Sequence, residues 1–208
     1  MSQQVAEPMP TAKLKRMIEK RDSDSKTLFG FWVYLMTDCV LFASLFATYA
    51  VLHNNTFGGP SAAKLFDLHY ALIETLLLLV SSFTCGLGIL AARTLKKAHV
   101  MAWLGVTFVL GVTFLVMEVS EFHKFIRMHD SYRRSGFLSS YFTLVGTHGL
   151  HITIGLLWLA VMFVRLIKAP LNRTTTRQLT LFSLFWHFLD VIWIFIFTIV
   201  YLMGGIGV

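Results

Sequence analysis

Five apolar stretches, at about 28–52, 70–92, 98–122, 138–164 and 179–203, decide which folds are open to this chain of 208 residues. Each reaches or exceeds the ~20 residues that carry a helix across a ~30 Å hydrocarbon layer. Inside that layer no water is available to backbone N–H and C=O groups, so a spanning segment is either a helix or a strand of a closed barrel. Barrel strands alternate in polarity over roughly ten residues, and runs such as ETLLLLV and DVIWIFIFTIVYLM do not alternate. The expected fold is all-α: a polytopic membrane bundle of five transmembrane helices over 28–208, preceded by a polar, basic tail over 1–27. A composition 56% hydrophobic and only 14% charged fits that expectation.

The net charge of +7 would suit a nucleic-acid binder if the basic residues formed one patch, but they sort by loop instead. Lys13, Lys15, Arg16, Lys20, Arg21 and Lys26 lie in the tail, Arg93, Lys96 and Lys97 in the second loop, and Arg165, Lys168, Arg173 and Arg177 in the fourth. The first loop holds Lys64, and the third holds Lys124, Arg127, Arg133 and Arg134. The positive-inside rule then places the N-terminus in the cytoplasm and the C-terminus outside, with no role for nucleic acid.

The first apolar segment is too long for a signal peptide and is expected to remain in place. KLKRMIEKRD within the tail suits either a short basic helix against anionic lipid or a disordered arm. No loop is long enough for a soluble domain. Cys39 and Cys85 both fall in apolar segments and are expected to be buried free thiols. Trp103, Tyr141 and Tyr201 fall near span ends, where an aromatic belt belongs. Trp158 and Trp186 are expected to face lipid or a neighbouring subunit.

Ionisable groups inside a span cost a few kcal/mol each on insertion scales, so each needs a partner. This chain has Asp38 in segment one, Glu74 in two, Glu118 and Glu121 in three, His148 and His151 in four, and His187 and Asp190 in five. The last three pairs are spaced i,i+3, so each pair shares a helix face that a bundle can turn towards the others. Three sharp readings are open: a metal site of Glu and His on facing helices, a haem with an imidazole axial ligand, or a carboxylate–imidazole proton relay. The Glu-x-x-His motif of di-iron bundles is absent. The plainer reading is favoured: these groups join helices by hydrogen bonds, each imidazole donating to a carboxylate or to a backbone carbonyl on a neighbouring helix, with Glu118, Glu121, His187 and Asp190 as candidate side-chain partners of His148 and His151. Gly146, Gly149, Gly155, Ser81, Ser82 and Thr84 are small residues that permit close helix approach. No phosphate loop, nucleophile motif or zinc spacing occurs.

Four motifs, FGFWVYLMTDCVLFASLFATYA at 29–50, EVSEF at 118–122, RSGFLSSYFTLVGTHGLH at 134–151 and LFWHFLDVIWIFIFTIVYLMG at 184–204, carry a resemblance over about 28–204 to subunit III of the haem-copper oxidases. The chain is most similar to the cytochrome o-type, ubiquinol-oxidising branch. The resemblance implies a chain with no catalytic site and no haem or copper of its own, those cofactors sitting in subunit I, which reduces O₂ and pumps protons. It also implies subunits I, II and IV as partners, a structural phospholipid, and a role in assembly and sustained turnover. Asp38 matches an intramembrane carboxylate of the family, which is Glu in mitochondrial members, and Arg165 matches an arginine that contacts a lipid phosphate. The readings kept beside it are a subunit III of a cytochrome c oxidase, a stand-alone proton channel or transporter using Asp38 and Asp190, and a membrane redox enzyme with its own metal.

Overall fold

The structure, a computed structural model, describes residues 11–53, 68–94, 97–127, 136–168 and 171–206. Its elements are helical throughout: α1 (Thr11–Leu52), α2 (Leu68–Arg93), α3 (Lys97–Arg127), α4 (Gly136–Lys168), α5 (Arg173–Ile196), a π-helical turn (Phe197–Leu202) and the short α6 (Met203–Ile206). Five stretches, Ser25–Leu52, Leu68–Arg93, Lys97–Ile126, Gly136–Lys168 and Thr174–Leu202, are long and apolar enough to cross a membrane, as the sequence implied. Lys64, Lys96, Arg133 and Arg134, which entered the loop-charge comparison, lie outside the described residues.

Two compact units divide the chain, Met1–Cys39 and Val40–Val208, and their boundary falls inside α1. In the first unit the described part of α1 starts at Thr11. From Thr11 to Phe29 the chain has neither Gly nor Pro and is rich in Lys, Arg, Leu, Met and Glu. These are strong helix formers, so from Thr11 onward the tail is helical and continuous with the first span.

In the second unit α2 packs along α3, α3 along α4, α4 along α5, and α5 back along α2, which closes a ring of four helices. The later part of α1 lies against α4 and α5: the Phe42 ring is 5.4 Å from that of His151, Phe46 6.4 Å from Phe195, and Tyr49 6.2 Å from Phe137. Asn172 starts α5 by accepting a hydrogen bond from the Thr175 N–H (2.8 Å). The polarity is that of a membrane bundle. Large apolar side chains such as Phe83, Val109, Leu157 and Val161 face outward, while Glu74, Ser81, Thr107, Glu118 and His148 are buried. Lipid solvates the first group, and the second must find partners inside.

Trp186 departs from expectation. It is 1% exposed and turned inward, where its Nε1–H donates to Ser81 Oγ (3.1 Å). Its ring fills the space left by two glycines: a Cβ on Gly111 would stand 2.9 Å from it, and one on Gly155 3.0 Å. A tryptophan in a span reaches the interior only where facing helices carry residues small enough to admit it and an acceptor for its N–H. Gly111, Gly155 and Ser81 supply both. Cys85 is buried as expected, but Cys39 is exposed; both thiols are free.

Candidate functional site

The polar side chains of the second unit form three clusters along the four-helix ring. At one end, Glu121 of α3 meets Tyr141 of α4 and Tyr201 of the π turn. Tyr201 donates to Glu121 Oε2 at 2.7 Å, Tyr141 lies 3.2 Å from the same oxygen, and the two hydroxyls are 2.9 Å apart. Each phenol has one proton to give, so the three contacts share two donors around one carboxyl oxygen. Both tyrosines are fully buried, which corrects their assignment to an interfacial belt. Antiparallel connection explains it: Glu121 near the end of α3, Tyr141 near the start of α4 and Tyr201 after α5 all fall at one end of the bundle. A π turn inserts an extra residue into the helical repeat, and here the successive residues Val200 and Tyr201 are both fully buried.

Next to this clamp lie Glu74 of α2 and Glu118 of α3. Glu74 is within electrostatic range of both Glu118 and Glu121, and Glu74 and Glu118 are 0% and 2% exposed. Around them Trp193 Nε1–H donates to Thr75 Oγ1 (3.1 Å), and Phe114 meets the rings of Trp193 and His148 edge-on at 4.7 and 5.9 Å. His148 Nε2–H donates to the backbone carbonyl of Leu189 (3.2 Å). Of the two acceptors the sequence leaves open, a carboxylate or a backbone carbonyl on a neighbouring helix, the carbonyl is the one used, and it ties α4 to α5 through one bond. His151 Nδ1–H donates to Thr147 O of its own helix (2.7 Å), with Phe42 against its ring.

The third cluster joins α2 to α5. Ser82 Oγ is hydrogen-bonded to His187 Nδ1, and Asp190, one turn after His187, also has Ser82 within hydrogen-bonding reach. A serine, a histidine and an aspartate together invite comparison with a hydrolytic triad, but there the acid and the nucleophile bond opposite ring nitrogens. Here the serine hydroxyl is the group shared by the other two, an arrangement that bridges helices. Thr84 and Thr107 add a hydroxyl pair between α2 and α3 (2.9 Å). These small hydroxyl residues of α2 therefore do more than permit close approach, and nothing in the sequence pattern marked their bonds.

Outside the clusters, Arg165 is exposed near the end of α4, with Nη1 donating to Gln178 Oε1 (2.7 Å). Asp38, in the first unit, is 6% exposed and one helical turn after Tyr34. Among the described residues no group of three or more His, Cys, Asp and Glu is placed to hold a metal ion. The chemistry this arrangement supports is helix cross-linking by hydrogen bonds in a medium without water.

Comparison with known proteins agrees with the pattern of motifs. Residues 23–205 match the family described as Cytochrome c oxidase subunit III. The chain is 55% identical over 185 residues to the cytochrome bo(3) ubiquinol oxidase subunit 3 of Pseudomonas aeruginosa, covering 89% of this chain and 88% of that one. It is 53% identical to its counterpart in Pseudomonas putida, over 88% of each chain. A protein named cytochrome c oxidase subunit 3 from Bacillus sp. strain PS3 is 44% identical over 86% of each chain. With five membrane-length helices and a family match that runs through all of them, this chain belongs to the cytochrome c oxidase subunit III family.

Proposed function

We propose that this chain is the non-catalytic subunit III of a bacterial haem-copper terminal quinol oxidase. The observation that carries the reading is the 55% identity, across nearly the whole of both chains, to a subunit named for ubiquinol oxidation. Haem and copper belong to subunit I of such an assembly, and this chain supports its assembly and stability. Of the intramembrane polar groups Asp38, Glu74, Glu118, Glu121, His148, His151, His187 and Asp190, it is Glu121, His148, His187 and Asp190 that tie helices together. Subunit I is the main partner and subunits II and IV are further ones, in a bacterial inner membrane. The excess of Lys and Arg in the tail and in the second and fourth loops supports a cytoplasmic N-terminus and a periplasmic C-terminus. On this reading 1–27 is a cytoplasmic arm and 28–208 the membrane domain. Arg165 is suited to a phospholipid phosphate, because it is exposed near a helix end and spends one N–H on Gln178.

A second reading, subunit III of a cytochrome c oxidase, is favoured by the 44% identity to the Bacillus sp. strain PS3 protein of that name. One preparation separates the two. A tagged copy of the chain is expected to co-purify in mild detergent with haem-bearing partners, and the complex should consume O₂ with ubiquinol as donor. Turnover with reduced cytochrome c alone would favour the second reading. A chain that purifies alone, is stable, and carries proton flux in vesicles would reject both in favour of a transporter.

A further inference from the structure

We propose that Glu74 and Glu118 form an internal site that holds protons and water inside the four-helix ring, next to the Glu121 clamp. All four of their carboxyl oxygens are buried with no hydrogen-bond partner among the described residues. Glu121, one turn from Glu118, is by contrast bonded to two tyrosine hydroxyls. The arrangement around Glu118 is built to receive its carboxyl. A Cβ on Gly149 would stand 2.5 Å from Oε1 and 2.9 Å from Oε2, so the missing side chain on α4 lets the acid lie against that helix. The neighbouring residue, His148, is 0% exposed and adds a fifth buried polar atom, Nδ1, also without a partner among the described residues.

Charge and enclosure narrow the occupant. No Lys or Arg occurs in 68–92, 98–123, 136–164 or 178–206, so none of the four packed helices brings a permanent positive charge to this level. Glu121, Tyr141 and Tyr201 lie within electrostatic range of Glu74, and His148 precedes Gly149, against which the Glu118 carboxyl lies. Since a carbonyl only accepts, the His148 proton lies on Nε2 towards Leu189, and the neutral ring turns a lone pair outward at Nδ1. Two bare carboxylates side by side would repel each other with little screening, far from any counter-charge. A proton on each removes that repulsion and makes each acid both donor and acceptor. The two carboxyls do not bond each other directly, and water, which makes two to four hydrogen bonds in polar cavities, supplies the remaining contacts and an acceptor–donor link to His148. A metal ion is disfavoured by the lack of a suitably placed ligand group among the described residues. A partner subunit's side chain is disfavoured by the near-complete enclosure of both acids.

The test is infrared spectroscopy of the purified assembly containing this chain, in H₂O and in D₂O, with the parent chain, Glu74→Gln and Glu118→Gln. The expected result is a carboxylic-acid C=O band that moves to lower frequency in D₂O and loses a component in each variant. A carboxylic-acid region unchanged by both substitutions would mean that the groups are ionised, and would overturn the proposal. A band that persists unshifted after complete exchange would mean a dry site and would overturn it too. Should either Gln variant fail to assemble, Gly149→Ala supplies the decision, since it presses on the Glu118 carboxyl without removing an acid. It should shift the same band, and a spectrum identical to the parent's would count against the site. The outcome does not depend on whether the assembly oxidises quinol or cytochrome c.

Discussion

Replacing Trp186 with alanine should destabilise the bundle by about 3–5 kcal/mol, the range found for truncating a buried Trp or Phe. The ring is 1% exposed and stacks on Phe182 with centroids 5.6 Å apart. It also fills the space over Gly111 and Gly155, so its removal opens a cavity that two glycines cannot close. Between helices in lipid there is little hydrophobic driving force, and association rests on van der Waals contact and hydrogen bonds. Trp186 supplies both, since its loss also strips Ser81 Oγ of the indole N–H. The measurement is the unfolding midpoint of the chain within the purified complex, titrated with a denaturing detergent. Trp186→Phe should recover most of the packing while still lacking the hydrogen bond, a difference of about 1 kcal/mol. If Trp186→Ala matched the parent, the ring would have to face lipid in the assembled protein.

The second large effect is expected at the other end of the ring. Changing Tyr141 and Tyr201 together to phenylalanine leaves Glu121 Oε2 buried without the two hydroxyls that now reach it. Taking hydrogen-bond donors away from a buried acceptor costs about 1–3 kcal/mol, and the double variant should lose more than either single one. Measured in the same titration, a double-mutant cycle between Tyr201→Phe and Glu121→Gln should give a coupling of roughly 0.5–3 kcal/mol, the range for groups in direct contact. Additive effects would show that the tyrosines and Glu121 act separately. The cycle also tests the π turn indirectly, because Tyr201 belongs to that turn.

What could be read in advance was what lipid dictates. Span number, helical class and the inward turn of acids and histidines follow from the length of apolar runs and the absence of water. Glu74, Glu118 and His148 are accordingly all buried. The errors cluster where lipid and protein interior cannot be told apart by polarity. Trp186 is apolar enough for either, and what decided its side was the presence of Gly111, Gly155 and Ser81 on other helices, a relation that periodicity within one helix does not report. Tyr141 and Tyr201 matched the belt rule by sequence position, yet they lie at the level of Glu121, a coincidence of depth that antiparallel helices make visible. For His148 a carboxylate and a backbone carbonyl of a neighbouring helix were both open; the carbonyl of Leu189 is the partner, and which carbonyl it is could not be read because a backbone group carries no side-chain signature. The motifs that identified the family were the most informative feature, because they join residues from four helices whose contacts no single segment discloses.

The reading as a whole depends on the buried imidazoles and acids of this chain binding helices together while electron transfer proceeds in another subunit. The most direct measurement is the visible haem spectrum and metal content of the complex purified with His148→Leu and, separately, His187→Leu. Both should retain every haem band and the full complement of iron and copper, while the altered chain separates from its partners at a lower temperature than the parent. Loss of a haem band or of a metal from an otherwise intact complex would make one of these histidines a ligand and contradict that reading.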